Sequence, residues 1–219
     1  LQGERLKSST LKTVGSYLIV FVFVLVGGYI SSRPVMIVYY DATATKLNTL
    51  TKNSQEIVKK IDGGLTLTTY VNLLDDTWYH ASPSSKNYDM DRFERYVRFK
   101  PDMKIEYVYY YGPGTSSHYD KVYKGLGPKE RMLKVCEGYD YNPDMFISAE
   151  EVQKVEDISA ENGRIVRVFK RENGQKAYLR IYNDMYVHPF ESEITAALKT
   201  LVDKSPLIAF VTGHGERAC

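Results

Sequence analysis

Residues 164–182 read R-I-V-R-V-F-K-R-E-N-G-Q-K-A-Y-L-R-I-Y, and this stretch does most to define the fold. Its two β-prone runs, 164–171 and 175–182, are separated by the E-N-G tripeptide. Asn-Gly is among the strongest short signals for a tight turn between antiparallel strands. The stretch therefore predicts an antiparallel β-hairpin that turns through Asn173 and Gly174.

Upstream of this hairpin the sequence alternates between strand-like and helix-like segments. The predicted strands lie near 35–40, 65–73 and 103–111, and the helices between them lie near 51–61 and 88–100. Strands joined by helical crossovers are parallel neighbours, because only a parallel pair needs so long a connection. We therefore expect these three strands to run parallel at the centre of one sheet.

Three more helices complete the order of elements. Residues 129–137 predict a short helix, the capping box S-A-E-E at 148–151 begins another, and 190–202 carries an apolar stripe at helical spacing. The resulting order, β-α-β-α-β-α-α-β-β-α, predicts a three-layer α/β domain and is similar to the thioredoxin order. The first helix carries no CxxC pair, so we expect the fold to serve as a scaffold and not as a redox catalyst.

An apolar run near the end of the sequence predicts a further domain. Residues 206–212 read P-L-I-A-F-V-T, which is typical of a fully buried strand. Such a strand needs neighbours on both sides in a parallel sheet. We therefore expect the α/β domain to occupy 34–203, residues 204–219 to begin a second α/β domain, and the chain to be a fragment of a longer protein.

The N-terminal part of the chain contains an uncharged apolar run. Residues 14–30 read V-G-S-Y-L-I-V-F-V-F-V-L-V-G-G-Y-I, which is too long for an ordinary strand. A helix of this length reaches the short end of what crosses a bilayer. We predict a transmembrane helix over 14–31 after a basic tail over 1–13. A cleaved signal peptide and a buried core helix are the alternatives that the run leaves open.

The basic residues around this run predict its orientation. Arg5, Lys7 and Lys12 precede it, whereas Arg33 is the one basic residue close behind it. Because Lys and Arg accumulate on the cytoplasmic side of a span, the N-terminus is expected in the cytoplasm. The sequence thus predicts a single span in the inner membrane, with the main domain on the extracytoplasmic, periplasmic side.

Composition and missing motifs disfavour several functional classes. The 29 basic and 27 acidic residues give a net charge of +2 without long single-sign runs, so no nucleic-acid partner is predicted. Cys136 and Cys219 are expected to be free, and no Cys/His cluster has metal-binding spacing, so neither metal nor cofactor is expected. The sequence contains no Walker A motif and no G-x-S-x-G, which disfavours ATP hydrolysis and serine-hydrolase chemistry.

The loop Gly213-His214-Gly215-Glu216 follows the last predicted strand and is a candidate for contact with a ligand or partner. Ligands often bind where parallel strands end, and glycines allow a close backbone approach. His214 and Glu216 have the chemistry of an acid and a base. The same residues would also suit a purely structural role, with the glycines forming a turn and His214 and Glu216 capping a following helix. No nucleophile accompanies them. We therefore name no catalytic residue.

Polar side chains also follow the first and second predicted strands. They are Asp41, Thr43, Lys46, Asn48, Asn72 and Asp75. Such loops can bind an ion, but Asp, Asn and Thr more often bond to nearby backbone and close the loop on itself. We interpret this group as a structural or interaction loop at one edge of the sheet, without a metal.

Three segments taken together resemble the GldG-like proteins. They are D-A-T-A-T-K-L-N-T-L-T-K-N-S at 41–54, T-Y-V-N-L-L-D at 69–75 and T-G-H-G-E at 212–216. These proteins are auxiliary or permease-fused components of ABC-2-type transporters, known from gliding-motility systems of Bacteroidetes and relatives. The resemblance runs from the membrane segment to the end. It implies a membrane-anchored, extracytoplasmic accessory component that assembles with a permease and a separate ATPase, and it carries over no catalytic residue.

Two other functions remain open on the sequence. The 19 tyrosines could form a surface that binds glycan or peptide, because tyrosine combines an apolar ring with a polar tip. A hydrolase built around residues 213–216 is the less favoured alternative. Copurification of an ABC ATPase and permease, as opposed to bound glycan, would separate these hypotheses.

Overall fold

The structure, a computed structural model, describes residues 2–33, 39–46, 48–114, 116–180 and 188–203. The predicted second domain at 204–219 lies outside the described residues, as does most of the predicted strand near 35–40. The chain divides into two compact units, Leu1–Leu47 and Asn48–Cys219.

The first unit contains one long helix, α1, over Gln2–Ser31. Its segment Lys12–Ser31 has a mean hydropathy of 2.1, and none of it is buried. Twenty helical residues rise about 30 Å, which matches the hydrocarbon core of a bilayer. Among the described residues this is the one helix long and apolar enough to cross a membrane. Its exposure disfavours the buried core helix, while an anchor and a signal sequence both fit it.

The second unit is built on a mixed five-stranded sheet. Its strands are β1 Leu65–Asn72, β2 Lys104–Tyr111, β3 Ile147–Ser148, β4 Val166–Arg171 and β5 Lys176–Arg180. Their order in the sheet is β3-β2-β1-β4-β5. β1 and β2 are parallel, and β4 and β5 form the antiparallel hairpin, as predicted. β1 also pairs antiparallel with β4, so the centre of the described sheet is mixed.

The strand prediction was wrong or incomplete at two points. The two-residue strand β3, parallel to β2, was missed because so short a run has no period of its own. Tyr39 and Tyr40, the described end of the predicted strand near 35–40, lie in no strand. The full thioredoxin-like order stays a prediction, since its first strand lies mostly outside the described residues.

Seven helices of the described residues belong to the second unit. They are α2 Lys52–Lys59, α3 Lys86–Asp91, α4 Glu94–Phe99, α5 Ser117–Val122, α6 Pro128–Tyr139, α7 Ala149–Gln153 and α8 Glu191–Lys199. The helices predicted near 51–61, 129–137 and 190–202 are confirmed. So is the capping box between Ser148 and Glu151 that begins α7.

The single helix predicted over 88–100 is wrong, because two short helices, α3 and α4, occupy this segment. The amide of Arg92 donates to the carbonyl of Asp89 at 3.3 Å, and that of Phe93 donates to Met90 at 2.9 Å. These hydrogen bonds join residues i and i+3, as in a 3₁₀ helix, so they tighten the turn and divide the α-helix. The apolar spacing within each half is helical, so the pattern alone does not reveal the break.

The core lies mainly on one face of the sheet. Alternate residues of a strand point to opposite faces, so Leu65 and Leu67 of β1 share one face, and Tyr70 belongs to the other. The first face buries two apolar clusters, one against α2, α4 and α8 and the other against α6. Cys136 of α6 is buried and free, as expected. The opposite face carries a third cluster against α7.

The expected three layers are present, but the second helical layer covers only part of its face. In the described chain it consists of the five-residue α7 and the connection that follows. A groove of about 400 Å³ remains along that face, with Thr66, Thr68, Lys104 and Glu106 in its lining. Helix α7 is too short to span the sheet, so the described residues leave this part of the sheet uncovered.

Candidate functional site

The carboxyl ends of the parallel strands form the first candidate site. β1 ends at Asn72, which lies opposite Tyr110 of β2 in the parallel register. In α/β sheets, ligands bind most often outside this edge, where loops rather than helices meet the strand ends. Asn72 and Asp75, singled out in the sequence, both lie here.

Asn72 ties together the loops that follow the two strands. It is fully buried, its side-chain amide donates to the carbonyl of Pro113 at 3.2 Å, and its oxygen accepts from the amide of Leu74 at 3.1 Å. Donor and acceptor are therefore both bonded within the chain, and the residue has a structural role.

Asp75 closes the loop after β1 in a similar way. Its carboxylate accepts from the amide of Thr77 at 3.1 Å and from the Thr77 hydroxyl. This is the side-chain-to-backbone bonding that Asp commonly makes in turns. The same turn leads into a 3₁₀ segment at Trp78–Ala81. Across the described residues, no group of three or more His, Cys, Asp or Glu side chains is arranged to hold a metal ion.

Two glycines let the loops at this edge pack backbone against backbone. A Cβ at Gly114 would lie 2.0 Å from the carbonyl oxygen of Leu74, and one at Gly163 would lie 2.3 Å from that of Pro113. Gly163 also has a φ of +77°, in the left-handed region. Only glycine fits either position, so the three loops form one closely packed junction.

A cavity of about 320 Å³ lies beside this junction. Buried Tyr110, Val152 and Ile158 contribute to its lining, together with exposed polar side chains of Ser159 and Asn162. The described lining contains no acid, histidine or cysteine. Its mixture of apolar surface and neutral polar groups suits a small uncharged ligand or side chain and supplies no acid–base pair for catalysis.

Tyr110 is the polar group buried deepest in this lining. Its residue is 3 % exposed. Burial, with a contribution from the Asp75 carboxylate, raises the pKa of Tyr110. The phenol is therefore neutral at physiological pH and can donate a hydrogen bond.

The loop after the predicted first strand closes on itself. A carboxylate oxygen of Asp41 accepts from the amide and the hydroxyl of Thr43, at 3.0 and 2.6 Å. The amine of Lys46 donates to the carbonyl of Asp41, and Lys46 has a φ of +54°. These bonds support the interpretation of this loop as structural.

The polar residues grouped in the sequence belong to different units. Asp41, Thr43 and Lys46 lie in Leu1–Leu47, whereas Asn48 begins the second unit and accepts from Arg98 at 3.1 Å through its carbonyl. The loop at 213–216 lies outside the described residues. The cavity beside Tyr110 was not predicted, although the G-P-G sequence at 112–114 marks where its walls begin.

Comparison of the chain with protein-family models, curated proteins and solved structures finds no match. The site is therefore interpreted from its own geometry. That geometry describes a closed structural junction with an uncharged cavity beside it.

Proposed function

We propose that this chain is the membrane-anchored, non-catalytic accessory component of an ABC-type export system, with its α/β unit on the extracytoplasmic side. One observation carries the proposal. The apolar segment Lys12–Ser31 has no buried residue and is joined to a separate compact unit. A helix with this much exposed apolar surface requires lipid or a partner around it.

The orientation in the proposal depends on charge. Arg5, Lys7 and Lys12 precede the apolar segment, against Arg33 after it, which supports a cytoplasmic N-terminus. An export-dependent enzyme reporter fused after residue 203 is expected to be active, and a fluorescent protein that folds only in the cytoplasm is expected to be dark. The reverse pair of results would place the α/β unit in the cytoplasm and overturn the proposed orientation.

The partners in the proposal are a permease and a separate ATPase. The sequence resemblance to GldG-like proteins supports this assignment. The internal hydrogen bonds of Asn72 and Asp75 at the carboxyl edge support the non-catalytic part of the proposal. We further propose that the α/β unit is a thioredoxin-like scaffold. The strand order β2-β1-β4-β5, with a parallel first pair and a terminal hairpin followed by α8, supports that scaffold.

Copurification tests the assembly. The tagged full-length protein, solubilised from native membranes in mild detergent, is expected to retain an ABC ATPase and a permease in stoichiometric amounts. An equally tagged, unrelated single-span protein serves as the matched control. Recovery of neither subunit, or equal recovery with the control, would contradict the proposal.

A binding module for uncharged glycan or peptide is the second candidate, favoured by the cavity beside Tyr110. Arrays of neutral oligosaccharides and of peptides are the direct test. Tyr110→Phe removes the buried hydroxyl with little change of volume and is expected to weaken any binding at least severalfold. Tyr88→Phe, at a residue that is 68 % exposed, is the control and should bind normally. A wild-type protein that retains nothing on either array excludes this candidate.

A further inference from the structure

A row of polar side chains crosses the helical face of the sheet between its two apolar clusters. Tyr107, Thr69 and Arg167 lie opposite one another on β2, β1 and β4. Thr69 and Arg167 are almost completely buried, with 0 % and 1 % of the residue exposed. A guanidinium at the centre of a sheet requires acceptors around it, because burying an uncompensated charge is costly.

Asp89 of α3 supplies part of that compensation. One carboxylate oxygen accepts from Nη2 of Arg167 at 2.7 Å, and the other accepts from the Tyr107 hydroxyl at 2.8 Å. Both side chains of the Asp89–Arg167 ion pair are buried. Thus each carboxylate oxygen is already bonded within the chain.

Three further donors of the cluster have no acceptor among the described residues. Nε and Nη1 of Arg167 and Nε of Arg92 are buried and make no hydrogen bond. Nε of Arg92 lies 3.8 Å from the nearer Asp89 oxygen, which permits attraction between the charges but is too long for a hydrogen bond. The ring of Phe93 lies 5.6 Å from the Arg167 guanidinium and can stabilise its charge, but it accepts none of the in-plane N–H groups.

The cluster also has more positive than negative charge, just as it has more hydrogen-bond donors than acceptors. Among the described residues, two guanidinium groups, of Arg92 and Arg167, face one carboxylate, that of Asp89. His80 and His188 adjoin the cluster, with ring centroids 4.9 Å apart. Burial first, and then the positive charge of Arg92, lowers the pKa of both histidines, that of His188 to about 4. Both histidines are thus neutral near pH 7, and the described groups of the cluster carry an excess positive charge.

The cluster reaches the surface on one side. The side chains of Arg92 and His188 are 27 % and 25 % exposed, whereas those of Asp89 and Arg167 are 0 % and 1 % exposed. A group that approaches from solvent therefore meets Arg92 and His188 first. The unbonded Nδ1 of His188 lies 3.9 Å from the Asp89 oxygen, so this exposed side of the cluster, its mouth, adjoins the ion pair.

We propose that this cluster is a binding site for an oxyanion, a carboxylate or phosphate group, with Arg92 and His188 at its mouth and Arg167 beneath. An oxyanion supplies what the site lacks, since its oxygens accept several N–H bonds at once and its charge balances the second guanidinium. Arginine matches this geometry better than any other side chain. The inference does not depend on the proposed transport role, because anion binding can be present whether or not a permease copurifies.

Anion-dependent stability is the test. The full-length protein in detergent is unfolded by heat in sodium phosphate, sodium acetate or sodium chloride at matched ionic strength and pH 7, with Trp78 fluorescence as the readout. Trp78 is the single tryptophan and is 5 % exposed, so its emission reports loss of the core. Phosphate or acetate is expected to raise the midpoint over chloride in a saturable manner. Three identical curves would overturn the proposal.

Matched arginine variants locate the effect. Arg92→Gln removes the charge at the mouth and leaves Arg167 in place, so the anion-dependent rise should fall at least severalfold or disappear. Arg180→Gln is the control, because Arg180 pairs with Glu161 and lies opposite Val166, on the other face of the sheet. Equal rises in both variants would mean non-specific stabilisation and would overturn the proposal.

A direct spectroscopic readout covers the case in which Arg92→Gln does not fold. In wild-type protein labelled at arginine, the Nε–H signal of Arg167 is expected to shift as phosphate or acetate is added and to stay fixed with chloride. If the protein remains folded and the Arg167 signal does not shift with any of the three anions, the proposal is overturned.

Discussion

Glu191 and Thr51 are joined by two hydrogen bonds across 140 residues of sequence: one carboxylate oxygen of Glu191 accepts from both the amide and the hydroxyl of Thr51, each at 2.8 Å. The same oxygen accepts from the Ser54 hydroxyl at 2.6 Å. Glu191 begins α8, and Thr51 is the N-cap of α2. The carboxylate therefore closes the start of α2 and fastens α8 to it.

Removing this carboxylate should weaken the unit. Glu191→Ala leaves three donors without their charged acceptor, and hydrogen bonds to charged groups contribute about 1.5–3 kcal/mol each at most. We expect a loss of about 2 kcal/mol in the free energy of unfolding, measured by urea titration of Trp78 fluorescence. Glu150→Gln, on the exposed start of α7, is the control and should unfold like the wild type. Equal midpoints for the two variants would show that the contact has no net effect.

The buried ion pair predicts a larger loss. Asp89→Asn removes one charge and leaves the Arg167 guanidinium buried, which costs about 3–5 kcal/mol when the partner charge is lost. The double variant Asp89→Asn, Arg167→Met should recover part of that loss, because no uncompensated charge remains. Lys134→Met breaks the exposed pair with Glu137 and should cause no measurable change. A double variant less stable than Asp89→Asn would contradict this account.

His188 predicts how stability depends on pH. Burial and the charge of Arg92 lower its pKa from 6.5 to about 4 in the folded protein. Between these values the unfolded chain binds the proton more readily, so stability should fall as the pH drops from 6.5 towards 4. Among the groups around it, His80, Arg92 and Arg167 oppose protonation, and Asp89 favours it.

His188→Gln should remove this proton uptake. The variant's urea midpoint is expected to change less than that of the wild type between pH 6.5 and 4.5. Glu191 does not obscure the comparison. Burial raises its pKa, but hydrogen bonds from Ser54 and Thr51 outweigh burial and lower the pKa from its usual value of 4.5. The contribution of Glu191 to folding stability is therefore lost only below about pH 4.5. Parallel pH profiles for His188→Gln and the wild type would rule out His188 as the titrating group.

The apolar stripe of α8 predicts that substitutions at the adjacent residues Leu198 and Lys199 differ strongly in their effect on stability. Leu198 is fully buried in the cluster with α2 and β5, whereas Lys199 is exposed. Leu198→Asp forfeits about 1.5–3 kcal/mol of apolar burial and adds the cost of a buried charge. We expect it to unfold the domain, as judged by circular dichroism, while Lys199→Asp melts near the wild-type temperature. Similar melting temperatures would mean that α8 does not pack as described.

Replacing glycine by alanine is expected to lower stability at the glycine junction and to raise it in a helix. Gly163→Ala places a Cβ against the carbonyl of Pro113 at a positive φ, and should destabilise by more than about 1 kcal/mol. Gly138→Ala, in helix α6 with open space around it, should stabilise by about 0.5–1 kcal/mol. A Gly163→Ala midpoint equal to or above that of the wild type would show that backbone movement relieves the crowding around Gly163.

Much of the fold could be predicted because its signals are local. The hairpin is encoded by Asn173 and Gly174 between two β-prone runs, and the capping box at Ser148 and Glu151 marks the start of α7. The apolar run that forms most of Lys12–Ser31 is visible as uncharged sequence. In each case the physical cause lies within a few residues: backbone conformation at the turn, side-chain caps on free amides, and solvation of apolar side chains.

Only the tertiary structure determined which polar groups far apart in the sequence bond to one another. Period two places Arg167 on the same face as Phe169, but its partner Asp89 is 78 residues away on a helix whose division the pattern does not show. Asn72 looks the same in sequence whether it binds a ligand or, as here, the carbonyl of Pro113. Local pattern determines where a strand or helix forms. Which charges and amides meet depends on how those elements pack, because these interactions act at contact distance between residues far apart in the chain.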